Sequence, residues 1–176
     1  MFRDRERILV RPAQADDAIR IADIHVAAWQ KAYPGLVPDT LLASVNRPAK
    51  EASWARALAS GNAHVLVAEN DGELLGWSQF GASRDPQATP TTGEVYGMYV
   101  DPPAWRTGVG MQLWIATRRE LVKSFALATL WVLEGNSSAR RFYETCGFVA
   151  EPTSVDRPDW LGVTRIRYAR LLGDSG

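Results

Sequence analysis

The sequence predicts a mixed α/β fold. Segments in which apolar residues recur at helical spacing alternate with short runs rich in β-branched and aromatic residues. The chain has 176 residues and 46% hydrophobic content, which is enough for one core and would leave a second domain without an interior. We therefore expect a single domain over residues 1–176, with helices packed against a sheet.

The chain opens with a predicted strand and a helix. Residues 8–10 predict the strand, and an Asp-Asp pair at 16–17 then begins a helix that ends near Tyr33, before a Pro-Gly pair. The core face of this helix carries four apolar residues at helical spacing, which are Ala18, Ile21, Ile24 and Ala28.

Two shorter helices and a hairpin come next. Residues 38–45 and 48–59 predict the helices, because each segment opens with a proline whose missing N–H costs nothing at a helix start. Residues 63–68 and 74–80 predict two antiparallel strands, since the Asp-Gly pair at 71–72 is a strong hairpin turn signal.

The second half of the chain alternates strands and helices. Residues 84–92 contain two prolines and no apolar period, which predicts a loop, and residues 94–100 predict a strand with a bulge at Gly97. Residues 108–123 predict an amphipathic helix that begins at a glycine-rich loop, and residues 127–133 predict a buried strand.

The last predicted helix begins at Asn136, because asparagine is a preferred N-terminal cap. Gly147 ends it in the manner of a left-handed C-terminal cap. Residues 148–150 and 161–171 predict the final strands. The helix residues expected to face the core are Ala139, Phe142 and Cys146.

Composition and charge argue against several classes of function. The 20 basic and 20 acidic residues give a formal charge of zero, so no global field would hold nucleic acid or an anionic membrane. No apolar run suggests a membrane span, and residues 1–7 carry both signs of charge, unlike a signal peptide.

The single cysteine, Cys146, excludes an intramolecular disulfide and fits a reducing cytoplasm. With only His25 and His64 beside it, we expect no metal site.

Two segments carry the candidate chemistry. In the first, a loop with Gly108 and Gly110 leads into a helix, where free N–H groups can bind phosphate oxygens. An ordinary tight turn would give the same pattern. In the second, Asn136 and Tyr143 lie two helical turns apart and project from one face. A simple helix cap and a core aromatic are the alternatives for these two residues.

Taken together, the two segments resemble the GNAT family of acyl-CoA-dependent N-acetyltransferases. The resemblance covers nearly the whole chain, from residues 29–36 through the loop at 105–110 to the Asn-x-x-Ala-x-x-Phe-Tyr-x-x-x-Gly-Phe segment at 136–148. It implies a mixed, mostly antiparallel central sheet that splays open between its fourth and fifth strands, flanked by helices. It also implies acetyl-CoA as a co-substrate whose pantetheine arm lies in the splay.

The resemblance implies the cofactor contacts residue by residue. Backbone groups of Met98 and Val100 would pair with the pantetheine arm, amides of residues 106–110 would hold the pyrophosphate, Asn136 would bond the pantetheine, and Tyr143 would reach the sulfur. The full set comprises Met98, Tyr99, Val100, Arg106, Thr107, Gly108, Val109, Gly110, Asn136, Ala139 and Tyr143.

One position departs from the family pattern. Trp105 stands where the family usually has Gln or Arg, three residues before the first motif glycine. Arg106 follows where a small residue is common, so a contact of its side chain with phosphate is an open question. The backbone cradle depends on neither side chain.

The reaction requires a base and an acid. An alkylamine with a pKa of about 10.4 is almost wholly protonated at pH 7, so a base or a water path must take its proton. Glu94 lies at the strand start where related enzymes often carry that base, and an exposed strand-end carboxylate is the alternative. By analogy, the N–H of Met98 would bind the oxyanion and Tyr143 would protonate the leaving thiolate. His25 and Tyr96 are the other candidate bases.

Acceptor recognition is expected from segments 29–36, 84–92 and 156–161. The candidate substrate-binding residues are Trp29, Tyr33 and Tyr96, joined by Trp160. Core packing is the alternative role for Trp29. Asp156 and Asp159 would attract a cationic amine or would simply be solvated.

These residues favour an N-acetyltransferase that moves an acetyl group from acetyl-CoA to a primary amine by direct attack, with a small molecule as acceptor. A peptide or protein amino group is an alternative acceptor, and a non-catalytic acyl-CoA-binding regulatory protein is an alternative function. A nucleotide-binding module would leave Asn136 and Tyr143 without a role. We expect no nucleic acid, membrane or metal partner, and a homodimer is possible because similar proteins often form one.

Overall fold

The structure is a computed structural model that describes residues 8–62, 64–156 and 162–173, with the backbone alone over 152–156. Helices and strands alternate in these residues, as the sequence predicts. In chain order they are β1 (Leu9–Pro12), α1 (Ala18–Ala32), α2 (Asp39–Ser44), α3 (Arg47–Ala59), β2 (His64–Asn70), β3 (Glu73–Ala82), β4 (Thr92–Val100), α4 (Val109–Leu121), β5 (Leu127–Leu133), α5 (Ser137–Thr145), β6 (Val149–Asp156) and β7 (Thr164–Leu171).

The strands form one sheet in the order β1-β2-β3-β4-β5-β7-β6. Neighbouring strands run antiparallel except for β4 and β5, which are parallel. Helices α4 and α5 pack on one face, named here the α4 face, and α1 and α3 pack on the other, the α1 face, over β2 and β3. The mixed, mostly antiparallel sheet expected from the sequence is confirmed.

The sheet splays open between β4 and β5. These strands pair only at Thr92 with Leu127, Gly93 with Ala128, and Glu94 with Thr129. Beyond that point β4 stays paired with β3 as far as Val100. The backbone of residues 95–100 therefore presents an unpaired edge toward β5.

A β-bulge lies where the splay begins. On β3, Gln79 and Phe80 are consecutive, but their partners on β4 are Gly97 and Val95, so Tyr96 is the extra residue. A bulge bends its strand and increases the local twist, which separates β4 from β5 here. The irregularity predicted at Gly97 is confirmed, with its extra residue one position earlier.

Burial on the two faces follows the predicted helical spacing. On α1, Ala18, Ile21, Ile24 and Ala28 are all buried. On α4, Val109, Leu113 and Leu121 are buried against the opposite face of the sheet. Each fully buried leucine or isoleucine contributes about 1.5–3 kcal/mol of transfer free energy. These two layers hold β4 from both sides.

Ion pairs fix α1 to the sheet. Arg11 of β1 donates to both carboxylate oxygens of Asp17, at 2.8 and 3.1 Å, and to Glu69 of β2 at 2.9 Å. The N–H of Gln14 also donates to Asp17, at 2.7 Å. One turn along α1, Arg20 pairs with Asp101 at the end of β4. The start of α1 is thereby fixed to β1, β2 and the end of β4.

Several element boundaries differ from the predictions by a few residues. Strand β6 extends to Asp156, well beyond residue 150, although Pro152 lies within it. A proline is tolerated there because β6 is the edge strand, and its register shifts between Ala150 and Ser154. Helix α2 begins after Pro38, and α3 begins at Arg47 with Asn46 capping it.

Two sequence-based expectations fall on parts of the chain that lie outside the described residues. The mixed-charge segment 1–7 is one, and the acceptor segment 157–161, with Asp159 and Trp160, is the other. The side chain of Asp156 is also outside the description. No helix within the described ranges is both long and apolar enough to cross a membrane.

Candidate active site

The unpaired edge of β4 forms one wall of the cleft. The side chains of Met98 and Val100 pack into the core on the α4 face, whereas the side chain of Tyr99 lies on the α1 face. The carbonyl oxygen of Val100 accepts a hydrogen bond from the indole Nε1–H of Trp105 at 2.7 Å. Trp105, the residue that departs from the family pattern, thus contacts the edge that the pantetheine arm is expected to follow.

The loop after β4 opens onto the N-terminus of α4. Arg106 and Gly108 have positive φ angles of 66° and 97°, and Gly108 is the N-terminal cap. No described side chain caps this helix, so the backbone N–H groups of its first turn have no side-chain acceptor among the described residues. Thr107 bonds back to the carbonyl of Ala104 at 2.8 Å, which fixes the loop.

Gly110 serves helix packing. A Cβ atom added there would lie 3.3 Å from the Phe142 ring, tighter than ordinary contact. The glycine therefore lets α4 approach α5. Around Gly108 a Cβ would meet open space, so that glycine is required by its backbone conformation.

Asn136 caps α5, which is the alternative role considered for it from the sequence. Its Oδ1 accepts the N–H of Ala139 at 3.1 Å, which uses the amide of Ala139. The amide nitrogen of Asn136 is left for other partners, and Asn136 favours the ionised form of the Tyr33 phenol at the α1 C-terminus, against the larger opposing effect of burial on that pKa. The cap residue therefore also contacts the cleft.

Three tyrosines gather beside Asn136. The hydroxyls of Tyr33 and Tyr99 lie 3.3 Å apart, and Trp29 donates its indole N–H to Tyr99 at 3.0 Å. Tyr143 interacts electrostatically with both phenols. Trp29 and Tyr33 are 6% and 9% exposed and belong to one buried cluster with Leu133, so both also pack in the core.

Burial keeps these phenols protonated. It raises the pKa of Tyr33, Tyr99 and Tyr143 above the ordinary value. For Tyr143 the charges of a Tyr99 phenolate and a Cys146 thiolate would add to the effect. No described residue forms a hydrogen bond with the Tyr143 hydroxyl. The ring of Tyr143 packs edge-on against the rings of Phe142 and Phe148. The arrangement provides a neutral proton donor.

Glu94 lies at the closed end of the splay and points to the α1 face. The residue is 2% exposed, so the exposed carboxylate considered from the sequence is wrong. Its Oε2 accepts the backbone N–H of Arg84 at 2.8 Å, and its Oε1 accepts Nη2 of the same residue at 2.6 Å. Met98 is four residues along the strand, about 13 Å away by strand rise. The acceptor or a chain of waters must therefore span the gap.

Tyr96 lies next to this ion pair. Its hydroxyl donates to the carbonyl of Ala82 at 2.6 Å, and the guanidinium carbon of Arg84 lies 4.1 Å from its ring centroid. The Tyr96 hydroxyl is therefore occupied by a backbone carbonyl. The ring face, by contrast, is stacked against a cation.

His25 is held as a neutral core residue. Its Nδ1 accepts the indole N–H of Trp54 at 3.3 Å, and its ring stacks on Tyr99 with centroids 5.1 Å apart. Burial, assisted by the charge of Lys50, lowers the pKa of His25 to about 3. Cys146 is 3% exposed, and burial raises the pKa of its thiol to about 12, so it is a packing residue without thiolate character at neutral pH.

The structure brings together some predicted residues and separates others. Asn136, Tyr143 and Tyr33 converge at the cleft, while Glu94 and Tyr96 lie apart at its closed end. The sequence reasoning missed the side chain of Tyr99, although strict alternation along β4 could have placed it opposite Met98 and Val100. It also missed the ion pair of Arg84 with Glu94, which no local sequence pattern indicates. Among the described residues, no cluster of three His, Cys, Asp or Glu could hold a metal ion.

Comparisons with known proteins agree with this geometry. A profile described as the acetyltransferase (GNAT) family matches residues 20–148. YuaI of Bacillus subtilis, an uncharacterised N-acetyltransferase, is 31% identical over 133 residues, covering 74% of this chain and 75% of the relative.

Solved structures show the same fold. The PaiA N-acetyltransferase of Thermoplasma acidophilum, in complex with coenzyme A, has a TM-score of 0.74 at 17% identity, covering 92% of this chain and 98% of its own. YncA of Salmonella typhimurium, with its cofactor acetyl-CoA, has a TM-score of 0.71 at 20% identity, covering 96% of this chain and 95% of its own. At these identities the likeness shows the fold alone.

Proposed function

The chain belongs to the acetyltransferase (GNAT) family, and we propose that it transfers the acetyl group of acetyl-CoA to the primary amine of a small molecule. Acetyl-CoA-dependent N-acetyl transfer is the activity of the family, and the small-molecule acceptor is the narrower proposal. The observation that carries it is the splay, where the unpaired edge of β4 leads to the uncapped start of α4 and where Tyr99 of that edge interacts electrostatically with Tyr143. We take residues 1–176 as one such domain.

Acetyl-CoA fits this cleft by its chemistry. The pantetheine amides would pair with the backbone of residues 95–100 as an added strand, and the pyrophosphate would bind the amides of residues 106–110 at the positive end of the α4 dipole. The carbonyl of Val100 can accept both Trp105 and a pantetheine N–H, because a carbonyl oxygen has two lone pairs. The amide of Asn136 faces the same cleft.

The acetyl transfer would proceed by direct attack. The amine nitrogen bonds to the thioester carbon, and the N–H of Met98 would stabilise the resulting oxyanion. The C–S bond then breaks, and the thiolate, with an ordinary pKa of about 8.5, takes a proton from Tyr143. The proton lost by the amine would pass to Glu94 through a chain of waters, and exchange with solvent would then restore the Glu94 carboxylate and the Tyr143 phenol. The products are the N-acetylated amine and free coenzyme A.

The confined position of Glu94 supports a small acceptor. The carboxylate lies beneath Arg84 and beside Tyr96, and Trp29 and Tyr33 form the packed wall at the other end of the cleft. An alkylamine has a narrow head that such an opening admits. A lysine side chain has a similar head, which keeps peptides in the test below.

A panel of acceptors tests the proposal. Alkylamines, polyamines, aminoglycosides, amino acids and peptides are each incubated with acetyl-CoA and the protein, and acetylated products are identified by mass spectrometry. We expect a small amine to have a kcat/KM at least about tenfold above that of every peptide, or about 1.4 kcal/mol in transition-state binding. A preference for peptides would contradict the small-molecule assignment. Tight coenzyme A binding without turnover of any acceptor would favour the non-catalytic alternative.

A further inference from the structure

Arg84 fills a space that has the chemistry of a cation-binding site. Its guanidinium lies between a carboxylate and an aromatic ring face, with Nη2 at 2.6 Å from Oε1 of Glu94 and the guanidinium carbon 4.1 Å from the Tyr96 ring centroid. A buried carboxylate and an aromatic face are the two groups that bind ammonium and guanidinium ions in proteins. Both belong to β4, beside the splay.

The two walls of this space are rigid. The Tyr96 hydroxyl donates to the carbonyl of Ala82 at 2.6 Å, which fixes the ring. Oε2 of Glu94 is held at 2.8 Å by the backbone N–H of Arg84, a contact that does not depend on the arginine side chain. If the guanidinium swings away, Oε1 is freed while the carboxylate keeps its position.

The arginine side chain, by contrast, is free to leave. It is 60% exposed and stands on the loop between β3 and β4, whereas the Glu94 side chain is 3% exposed. Because the carboxylate is buried, loss of the guanidinium alone would leave a costly unpaired charge, so Arg84 is expected to leave only when another cation takes its place. Its neighbour Asp85 is bonded to Arg167 and Trp131.

We propose that the space between the Glu94 carboxylate and the Tyr96 ring is the binding site for the cationic head of the acceptor, an alkylammonium or guanidinium group, which Arg84 occupies until the acceptor displaces it. The inference rests on the proposed function for the identity of the cation as acceptor. It adds that the acceptor enters in its protonated form and binds first beside Glu94, before its amine reaches the thioester farther along β4. Arg84 is thus a specificity-determining residue that screens acceptors by charge.

Binding of a simple cation in the absence of acetyl-CoA tests the site separately from turnover. Ethylammonium chloride is titrated into the protein while the side-chain carboxyl carbon of Glu94 is followed by NMR. The same titration is carried out on Arg84→Ala and on the double variant Arg84→Ala with Glu94→Gln, where amide signals near the site report binding. Arg47→Ala is the matched control, because Arg47 is 55% exposed and pairs with Asp23 on helices α3 and α1.

We expect Arg84→Ala to bind ethylammonium at least about fivefold more tightly than the wild type, because Arg84 no longer competes for the buried carboxylate. Arg47→Ala should match the wild type, and the double variant should show no saturable binding. Guanidinium chloride at millimolar concentration should compete with ethylammonium in Arg84→Ala. Equal binding by wild type and Arg84→Ala, or undiminished binding by the double variant, would overturn the proposal.

Two further readouts remove ambiguity. Circular dichroism establishes that each variant is folded, and Arg84→Gln replaces Arg84→Ala if the latter is not. Acetyl-CoA turnover is measured in parallel with a small amine from the acceptor panel. Cation binding without turnover of any amine would refute the proposed function and leave the site standing, whereas turnover with no Arg84 effect on cation binding would refute the site alone.

Discussion

The phenols of Tyr33, Tyr99 and Tyr143 interact electrostatically, but they have different hydrogen bonds. Tyr33 and Tyr99 bond to each other, and Tyr99 also accepts from Trp29. The hydroxyl of Tyr143 has no described partner, and burial raises its pKa well above the ordinary value. It therefore remains a donor at neutral pH, which is the form that a leaving thiolate requires.

Removal of the Tyr143 hydroxyl should slow the chemical step. In Tyr143→Phe we expect kcat to fall about 10²-fold, the lower end of general acid effects, while the KM for acetyl-CoA stays within about twofold. Steady-state kinetics with a good acceptor measures both values. Tyr168→Phe is the control. It too removes a buried phenolic hydroxyl, but one that is hydrogen-bonded to Glu144 and Arg140. An undiminished kcat in Tyr143→Phe would exclude the acid role.

Replacement of Glu94 should slow the reaction. In Glu94→Gln we expect kcat/KM to fall about 10²-fold, because the amide cannot accept the amine proton. Steady-state kinetics with a good acceptor measures the change. A variant with full activity would make Glu94 a structural partner of Arg84 only.

At the level of elements, the start of α1 depends on one buried carboxylate. Asp17 is 8% exposed and is bonded by Arg11 and by the N–H of Gln14. Burial opposes its ionisation, yet these hydrogen bonds outweigh it and lower the pKa of Asp17. Since the folded value lies below the unfolded value, the ionised group stabilises the fold above pH about 4, and that contribution is lost as pH falls through the folded pKa.

Asp17→Asn should therefore destabilise the fold at neutral pH. We expect the free energy of unfolding at pH 7 to fall by about 1–3 kcal/mol, because a buried charged hydrogen-bond network is broken. The loss relative to wild type should shrink as pH falls below about 4. Urea unfolding at several pH values measures this. Asp16→Asn, a change at the exposed adjacent aspartate, is the control, and equal effects of the two substitutions would contradict the account.

The loop that opens α4 can be tested with a matched pair of glycines. Gly108 and Gly61 both have positive φ, 97° and 68°, and a Cβ at either would meet open space. Gly108→Val and Gly61→Val should therefore strain the backbone similarly, by about 1–2 kcal/mol. Only Gly108→Val should weaken coenzyme A binding, by about tenfold or more in calorimetry, since its side chain would crowd the phosphates. Unchanged affinity in a folded Gly108→Val protein would contradict the placement.

Local signals account for most of the elements predicted from the sequence. Strand β5 has the predicted bounds of 127–133, and the Asp-Gly hairpin has the positive φ values that its turn requires. The extension of β6 through Pro152 was not predictable, because it depends on the strand being at the sheet edge. The bulge residue was misplaced by one position because sequence marks the flexible glycine and not the strand register.

The candidate site was predictable to the extent that it depends on motifs. Asn136, Tyr143 and the loop at 105–110 stand in the predicted order on the predicted elements. The contact of Tyr33 with Asn136 required the tertiary position of the α1 C-terminus. The pairing of Arg84 with Glu94 depends on how a loop folds back on its strand, which no periodicity reports.

At the scale of the whole molecule, the splay divides the sheet into two halves joined by only three parallel residue pairs between β4 and β5. On the α4 face the uncapped helix start lies beside the open edge, and on the α1 face Glu94 and Tyr96 lie beside the same edge. Acetyl-CoA and acceptor would thus approach from opposite faces and meet between the strands. This arrangement requires no covalent intermediate on the enzyme.

The fate of a labelled acetyl group tests that account most directly. The protein is incubated with [¹⁴C]acetyl-CoA alone and with a primary amine from the acceptor panel, and label on the protein, label on the amine and free coenzyme A thiol are each counted. We predict no label on the protein, and label on the amine in one-to-one ratio with released thiol only when the acceptor is present. Label that accumulates on the protein before the amine is added and then moves to it, or thiol release that does not depend on any amine, would contradict direct transfer across the splay.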